Sequence, residues 1–183
     1  MKTIETDIER VLVSEAKIKE CVTRIGAAIA RDYEDKDPLF VGVLRGSFVF
    51  FADLMKVCNI PSQLDFISAS SYQSGTVSSG VVKISYDVKA NLTGRNIILV
   101  EDILDSGNTL FNLKHHFMDR GAASVKICAL LDKPSRRTKP ITPDYCGFEI
   151  PDEFAVGYGL DYAERYRNLP YIGVLKPEVY QGK

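Results

Sequence analysis

The residues best suited to chemistry stand in one run, Ile98-Leu99-Val100-Glu101-Asp102-Ile103-Leu104-Asp105-Ser106-Gly107-Asn108-Thr109. Its Asp-Ser-Gly-Asn-Thr end can form a tight turn into a following helix. A helix N-terminus offers unpaired backbone N–H groups and a positive dipole end, which suit a phosphate. Gly107 lets the backbone approach closely, and Ser106 and Thr109 supply hydroxyl donors. The same residues also read as a helix capped by Asp105 or Ser106, which needs no ligand. Capping leaves Glu101 and Asp102 unexplained. Adjacent acids at the end of an apolar strand are costly unless paired, solvated or metal-bound. A divalent ion or sugar hydroxyls are their natural partners. A phosphate nest beside hydroxyl-seeking carboxylates describes a ribose 5-phosphate site. G-x-x-x-x-G-K-[ST] and G-x-G-x-x-G are both absent, so the run is neither a Walker A loop nor a dinucleotide fingerprint.

These residues need strands to deliver them. LFVGVL (39–44), NIILVE (96–101) and VKICALLD (125–132) are short, continuously apolar runs that predict strands buried on both faces. Gln63 to Ala69 and Val81 to Tyr86 predict two more strands, and FAVGYGLD (154–161) and YIGVL (171–175) the last short ones. Helical spacing of apolar residues predicts helices over 8–31, SFVFFADLMKVC and LFNLKHHFMDR, the last stopped by Gly121. The alternation implies an α/β fold with a mostly parallel central sheet flanked by helices. In such sheets ligands bind beyond the carboxyl ends of the strands. Three strand ends carry polar groups: Arg45-Gly46-Ser47, Glu101 to Thr109, and Lys133. Residues 68–80, SASSYQSGTVSSG, are rich in Ser and Gly and almost free of charge. So long a connection reads as a lid or binding loop, or as a mobile surface hairpin.

Composition narrows the classes. A chain of 183 residues with 45% hydrophobic and 26% charged residues fits one globular domain and argues against disorder. A net charge of -1 gives no basic excess to attract nucleic acid. No stretch approaches the roughly 20 apolar residues of a membrane span, and the charged N-terminus lacks a signal-peptide core. Cys21, Cys58, Cys128 and Cys146 are widely spaced and form no C-x-x-C pair, which predicts reduced thiols and a cytoplasmic setting. The only histidines, His115 and His116, do not make a Cys/His zinc site.

VEDILDSGNT resembles the phosphoribosyl pyrophosphate (PRPP) motif of the type I phosphoribosyltransferases: apolar residues, two acids, two apolar residues, then Asp-Ser/Thr-Gly-x-Thr. VGVLRGSFVFFADL, LLDKPSRR and PDEFAVGYGLDYAERYRNLPYIGVLKPEVY are similar to segments of the bacterial 6-oxopurine branch. The resemblance runs from about residue 8 to the C-terminus. It implies a single domain, 1–183, with a small hood from the N-terminal segment and about 150–183 and a flexible lid loop at about 68–80. It implies transfer of the 5-phosphoribosyl group from PRPP to hypoxanthine or guanine, with release of pyrophosphate and help from Mg²⁺.

The resemblance also implies roles. Asp105 would accept the purine N7 proton, and Ser106, Gly107, Asn108 and Thr109 would hold the 5′-phosphate. Glu101 and Asp102 would face the ribose hydroxyls and a Mg²⁺ held there, and Asp161 would serve a second Mg²⁺ near the purine. Lys133 would donate to the 6-oxo group, although a lysine before Pro134 also reads as a surface residue. Phe154 would stack on the purine, or is simply core. The backbone beside Ala155 and Val156 would read the base edge. Arg45-Gly46 and Arg167 would bind pyrophosphate, and the Leu44–Arg45 peptide is expected to be cis. Ser71 and Tyr72 would close over the reaction centre. Expected partners are small-molecule substrates and a second or further copies of the chain, as a homodimer or homotetramer, with no nucleic acid and no membrane.

Overall fold

The apolar runs of the sequence become the central strands of one sheet. The structure is a computed structural model and describes residues 3–71 and 82–181. In chain order the elements are β1 (Ile8–Val13), α1 (Glu15–Asp32), β2 (Leu39–Leu44), α2 (Phe48–Val57), β3 (Gln63–Ser71), β4 (Val82–Tyr86), β5 (Asn96–Leu104), α3 (Asn108–Asp119), β6 (Ser124–Asp132), β7 (Tyr145–Glu149), β8 (Ala155–Val156), β9 (Ile172–Leu175) and a single turn α4 (Pro177–Tyr180). The larger sheet has the order β4-β3-β2-β5-β6-β7, parallel throughout except that β4 runs antiparallel to β3.

Alternation along β5 sends its side chains to two separate cores. Ile98 and Val100 pack with Ile18, Ile25, Phe50 and Leu54 of α1 and α2. Ile97 and Leu99 pack with Leu110, Leu113 and Phe117 of α3. Both faces are covered, which is why β2, β5 and β6 read as unbroken apolar runs. Phe117 is fully buried in the second core. Phe117→Ala should therefore cost about 3–5 kcal/mol, read as a lowered denaturant midpoint at unchanged m-value.

Two expectations about secondary structure are corrected. Residues 8–31 are not one helix: Ile8–Val13 form β1, paired antiparallel with β9, and the helix starts only after Ser14. The Ser14 hydroxyl accepts from the Lys17 N–H at 3.4 Å, a standard N-cap. Ile8, Val11 and Leu12 fit helical spacing by accident, because the partner strand lies some 160 residues later (Val13 pairs with Ile172). FAVGYGLD is also not a full strand. β8 ends at Val156, because Gly157, Tyr158 and Gly159 all take positive φ (99°, 50° and 102°), which breaks the pleat. β8, β9 and β1 form a second three-stranded sheet with its own small core of Val156, Tyr166, Leu169 and Leu175. β7, for which the sequence reading named no strand, extends the main sheet beyond β6.

All four thiols are free. Burial pushes them up, Cys58 and Cys146 to about 11, so little thiolate exists at neutral pH. Among the described residues no helix is long and apolar enough to cross a membrane.

Candidate active site

The site forms where β2, β5 and β6 end. β5 runs four residues beyond Val100 and carries Glu101 and Asp102 as strand residues. Both are buried, at 9% and 8% exposure. Burial, and then the neighbouring Asp102 charge, push the Glu101 carboxyl well up. Burial also raises Asp102, opposed by hydrogen bonds from Glu101 and the backbone and by the Arg167 guanidinium. Two carboxyls so placed are held back from ionising together until a cation or hydroxyl donors arrive. Among the described residues no three His, Cys, Asp or Glu side chains are grouped to hold a metal alone.

The turn after β5 is shaped by Gly107, not by an Asp or Ser cap. Gly107 is the N-cap of α3, with φ 82°, and no side chain caps the helix. The cap residue is therefore neither Asp105 nor Ser106, although the Ser106 hydroxyl still accepts the Asn108 N–H at 3.4 Å. The positive dipole end of α3 opens here, which suits an anion. A Cβ at Gly107 would stand 2.6 Å from Ile141 Cγ2 and 3.0 Å from Arg137 Cδ. Among the described residues the buried Asn108 Nδ2 and Asp105 Oδ1 have no hydrogen-bond partner. An orphaned donor at the helix start suits a phosphate oxygen, whereas Asp105 Oδ1 faces the Arg136 guanidinium, with Nε at 3.0 Å.

Arg45 and Gly46 close the site from β2. The Leu44–Arg45 peptide is cis, as expected. A Cβ on Gly46 would lie 1.7 Å from Asp102 Oδ2, so the loop rests directly on the acidic pair. Arg45, Gly46, Glu101 and residues 103–110 line one cavity of about 230 Å³. Arg45 pairs with Glu164 across this cavity's rim.

The hood supplies the rest. Arg167 donates to the Gly159 carbonyl at 2.7 Å and pairs with Asp161 at 2.8 Å and Glu164 at 3.4 Å. Asp161 Oδ2 accepts the Glu164 N–H at 2.9 Å, so both Asp161 oxygens are engaged. Lys133 is not a surface residue: it is 7% exposed, and its ammonium donates to the Glu153 carbonyl at 2.9 Å. Phe154 follows immediately and is 36% exposed, which separates it from the core. Tyr180 stacks on it at 4.8 Å and Tyr162 meets it edge-on at 5.5 Å. Ala155 and Val156 are held by β9. Ser71 ends β3, and Tyr72 with the rest of the expected lid lies outside the described residues.

Sequence reading missed Arg137. Its guanidinium is nearly buried, pairs with the Asp132 carboxylate, and donates to the Leu104 and Asp105 carbonyls at 3.3 and 3.2 Å. It staples the loop after β5 to the loop after β6. The available signal was the acid ending LLD, which needs a partner when buried.

A phosphoribosyl transferase domain model matches residues 12–163. The chain belongs to the phosphoribosyltransferase family. Among its phosphoribosyltransferase relatives are the hypoxanthine-guanine phosphoribosyltransferases of Bacillus subtilis, 54% identical over 96% of this chain and 97% of that protein, and of Streptococcus pneumoniae, 53% identical over 97% and 98%. A solved hypoxanthine phosphoribosyltransferase from Staphylococcus aureus superposes with a TM-score of 0.94 at 44% identity, covering 98% of both chains.

Proposed function

We propose that this protein is a cytoplasmic purine salvage enzyme. It transfers the 5-phosphoribosyl group of PRPP to N9 of hypoxanthine or guanine, forming IMP or GMP and pyrophosphate. The observation that carries this reading is one cavity shared by the Arg45-Gly46 loop, Glu101 of the acidic pair and the start of α3. A sugar flanked by a phosphate and a pyrophosphate needs those three surfaces together.

The 5′-phosphate sits on the N–H groups of residues 106–109 with the Ser106 and Thr109 hydroxyls. Glu101 and Asp102 face the ribose hydroxyls. Mg²⁺ supplies charge neutralisation for the departing pyrophosphate. It fits here as an ion carried in by substrate oxygens, because two carboxylates alone make an incomplete shell. Asp161 serves a second Mg²⁺ only by sharing its oxygens with Arg167. Arg45, Gly46 and Arg167 receive the pyrophosphate; a guanidinium matches its oxygens bidentately. Asp105 accepts the N7 proton as N9 meets C1 of an oxocarbenium-like ribose. Lys133, a donor with no acceptor, selects a 6-oxo over a 6-amino group. Phe154 offers its ring to the purine on the side opposite Tyr180. Residues 68–80, including Ser71 and Tyr72, close as a lid that keeps water from the cation. Half-exposed Phe48 and Val57 on α2 supply apolar surface for a dimer or tetramer.

The test is a base panel with PRPP and Mg²⁺: hypoxanthine, guanine, xanthine, adenine and uracil. Conversion of hypoxanthine or guanine with equimolar pyrophosphate is expected. Conversion of adenine or uracil alone would overturn the assignment.

A further inference from the structure

Asp105 Oδ1 is buried and accepts no hydrogen bond, yet the charged Arg136 Nε stands 3.0 Å from it. Arg136 touches a second acid, with Nη1 3.4 Å from Asp152 Oδ1. The same Asp152 oxygen lies 3.6 Å from Lys133 Nζ. Four side chains thus form an unbroken alternation of charge, Asp105–Arg136–Asp152–Lys133. Its ends are the residues to which the proposed function gives the proton-accepting and carbonyl-reading roles. Its middle members, Arg136 and Asp152, have no role so far.

Local structure explains the alignment. Lys133 precedes a 3-10 turn, Pro134–Arg136, in which the Arg136 N–H donates to the Lys133 carbonyl at 3.1 Å. The turn keeps Lys133 and Arg136 close enough for both cations to meet the same Asp152 oxygen, at 3.6 and 3.4 Å. One carboxylate between them, Asp152, then serves both cations. The proline presets the turn, so the spacing of the two cations does not depend on their ion pairs.

Resting on the reading above, we propose that Arg136 and Asp152 are positioning residues for phosphoribosyl transfer. Arg136 holds the buried oxygen of Asp105 in place, which leaves the outer part of that carboxyl, 41% exposed as a side chain, turned toward the purine. Asp152 keeps Arg136 from swinging to solvent and fixes Lys133 at the same time. Proton acceptance and carbonyl recognition are thereby held at one mutual spacing, as N7 and the 6-oxo oxygen share one ring edge. Ion pairs this exposed contribute little to stability, because water screens them. Their effect is geometric and is read in kinetics.

The experiment compares Arg136→Gln, Arg136→Lys and Asp152→Asn with the wild-type enzyme and with Asp105→Asn. Arg136→Gln should lower kcat by roughly ten- to a hundredfold, the cost of a misplaced catalytic group. Its KM for PRPP should change less than about twofold, because the phosphate cradle is untouched. Arg136→Lys should recover most of kcat, and Asp152→Asn should raise KM for the purine. In the Asp105→Asn background, Arg136→Gln should cause no further loss, the signature of two residues acting as one unit. Wild-type kcat in Arg136→Gln would overturn the proposal. So would multiplicative losses in the double variant, or an Arg136→Lys protein as slow as Arg136→Gln with a lowered Tm. A fully active Asp105→Asn protein would instead remove the base assignment on which the proposal stands, so the two failures are distinguishable.

Discussion

Asp105→Asn turns hypoxanthine over roughly 10²–10⁴-fold more slowly than wild type, the usual range for loss of a general base. The substitution preserves shape and removes only the capacity to take a proton. An amide still fits beside Arg136, with its oxygen toward the guanidinium that stands 3.0 Å from Asp105 Oδ1. The Asp105 backbone is unaffected, since Arg137 holds its carbonyl at 3.2 Å. The phosphate cradle proposed above uses other groups: the N–H groups opening α3, the Ser106 and Thr109 hydroxyls, and Asn108. PRPP with Mg²⁺ should therefore bind with nearly unchanged affinity in equilibrium dialysis, while single-turnover product formation collapses. Full turnover by Asp105→Asn would take Asp105 out of the base role.

Gly46→Ala damages the other half of the site. The added methyl would stand 1.7 Å from Asp102 Oδ2 and 2.6 Å from its Cγ. The loop cannot retreat into the hood, because Gly46 O already lies only 2.1 Å from where a Cβ on Gly159 would be. Loop and acid must therefore separate. The expected cost is about 1–3 kcal/mol, the range for overpacking, which lowers Tm by roughly 2–12 °C in a chain of this size. The effect on catalysis is larger. Moving the Arg45-Gly46 loop and Asp102 apart displaces the pyrophosphate and the ribose hydroxyls from each other. A misplacement of about 1 Å is enough for a loss near 10²-fold in kcat/KM for PRPP. Wild-type KM and Tm in Gly46→Ala would show that the loop has another way to relax.

Much of the candidate site was legible locally. Glu101 through Thr109 announced themselves because buried acids, a glycine and hydroxyls in consecutive order have few structural uses. The central strands were legible because both faces are covered, so each strand is apolar at every position. The errors share a cause. Ile8–Val13 was taken into a helix because its partner, Ile172–Leu175, is at the other end of the chain. β8 was extended through 161 because positive φ at Tyr158 is not written in the residue type. Lys133 before Pro134 also admitted a solvent-facing reading, and only the fold buries it.

The order of residues alone determined the chemistry on offer: an anion cradle, an acidic pair, a lysine and two arginines at the ends of buried strands in one α/β domain. Composition and local spacing carry that information because it resides in neighbours along the chain. Tertiary structure decided which of those groups meet. It placed Gly46 against Asp102, paired Arg45 with Glu164, stapled the loop after β5 through Arg137, and brought Arg136 to Asp105. These contacts join segments about 30 to 120 residues apart, and their energies depend on burial and distance. Neither quantity exists until the strands have paired and the hood has closed over their ends.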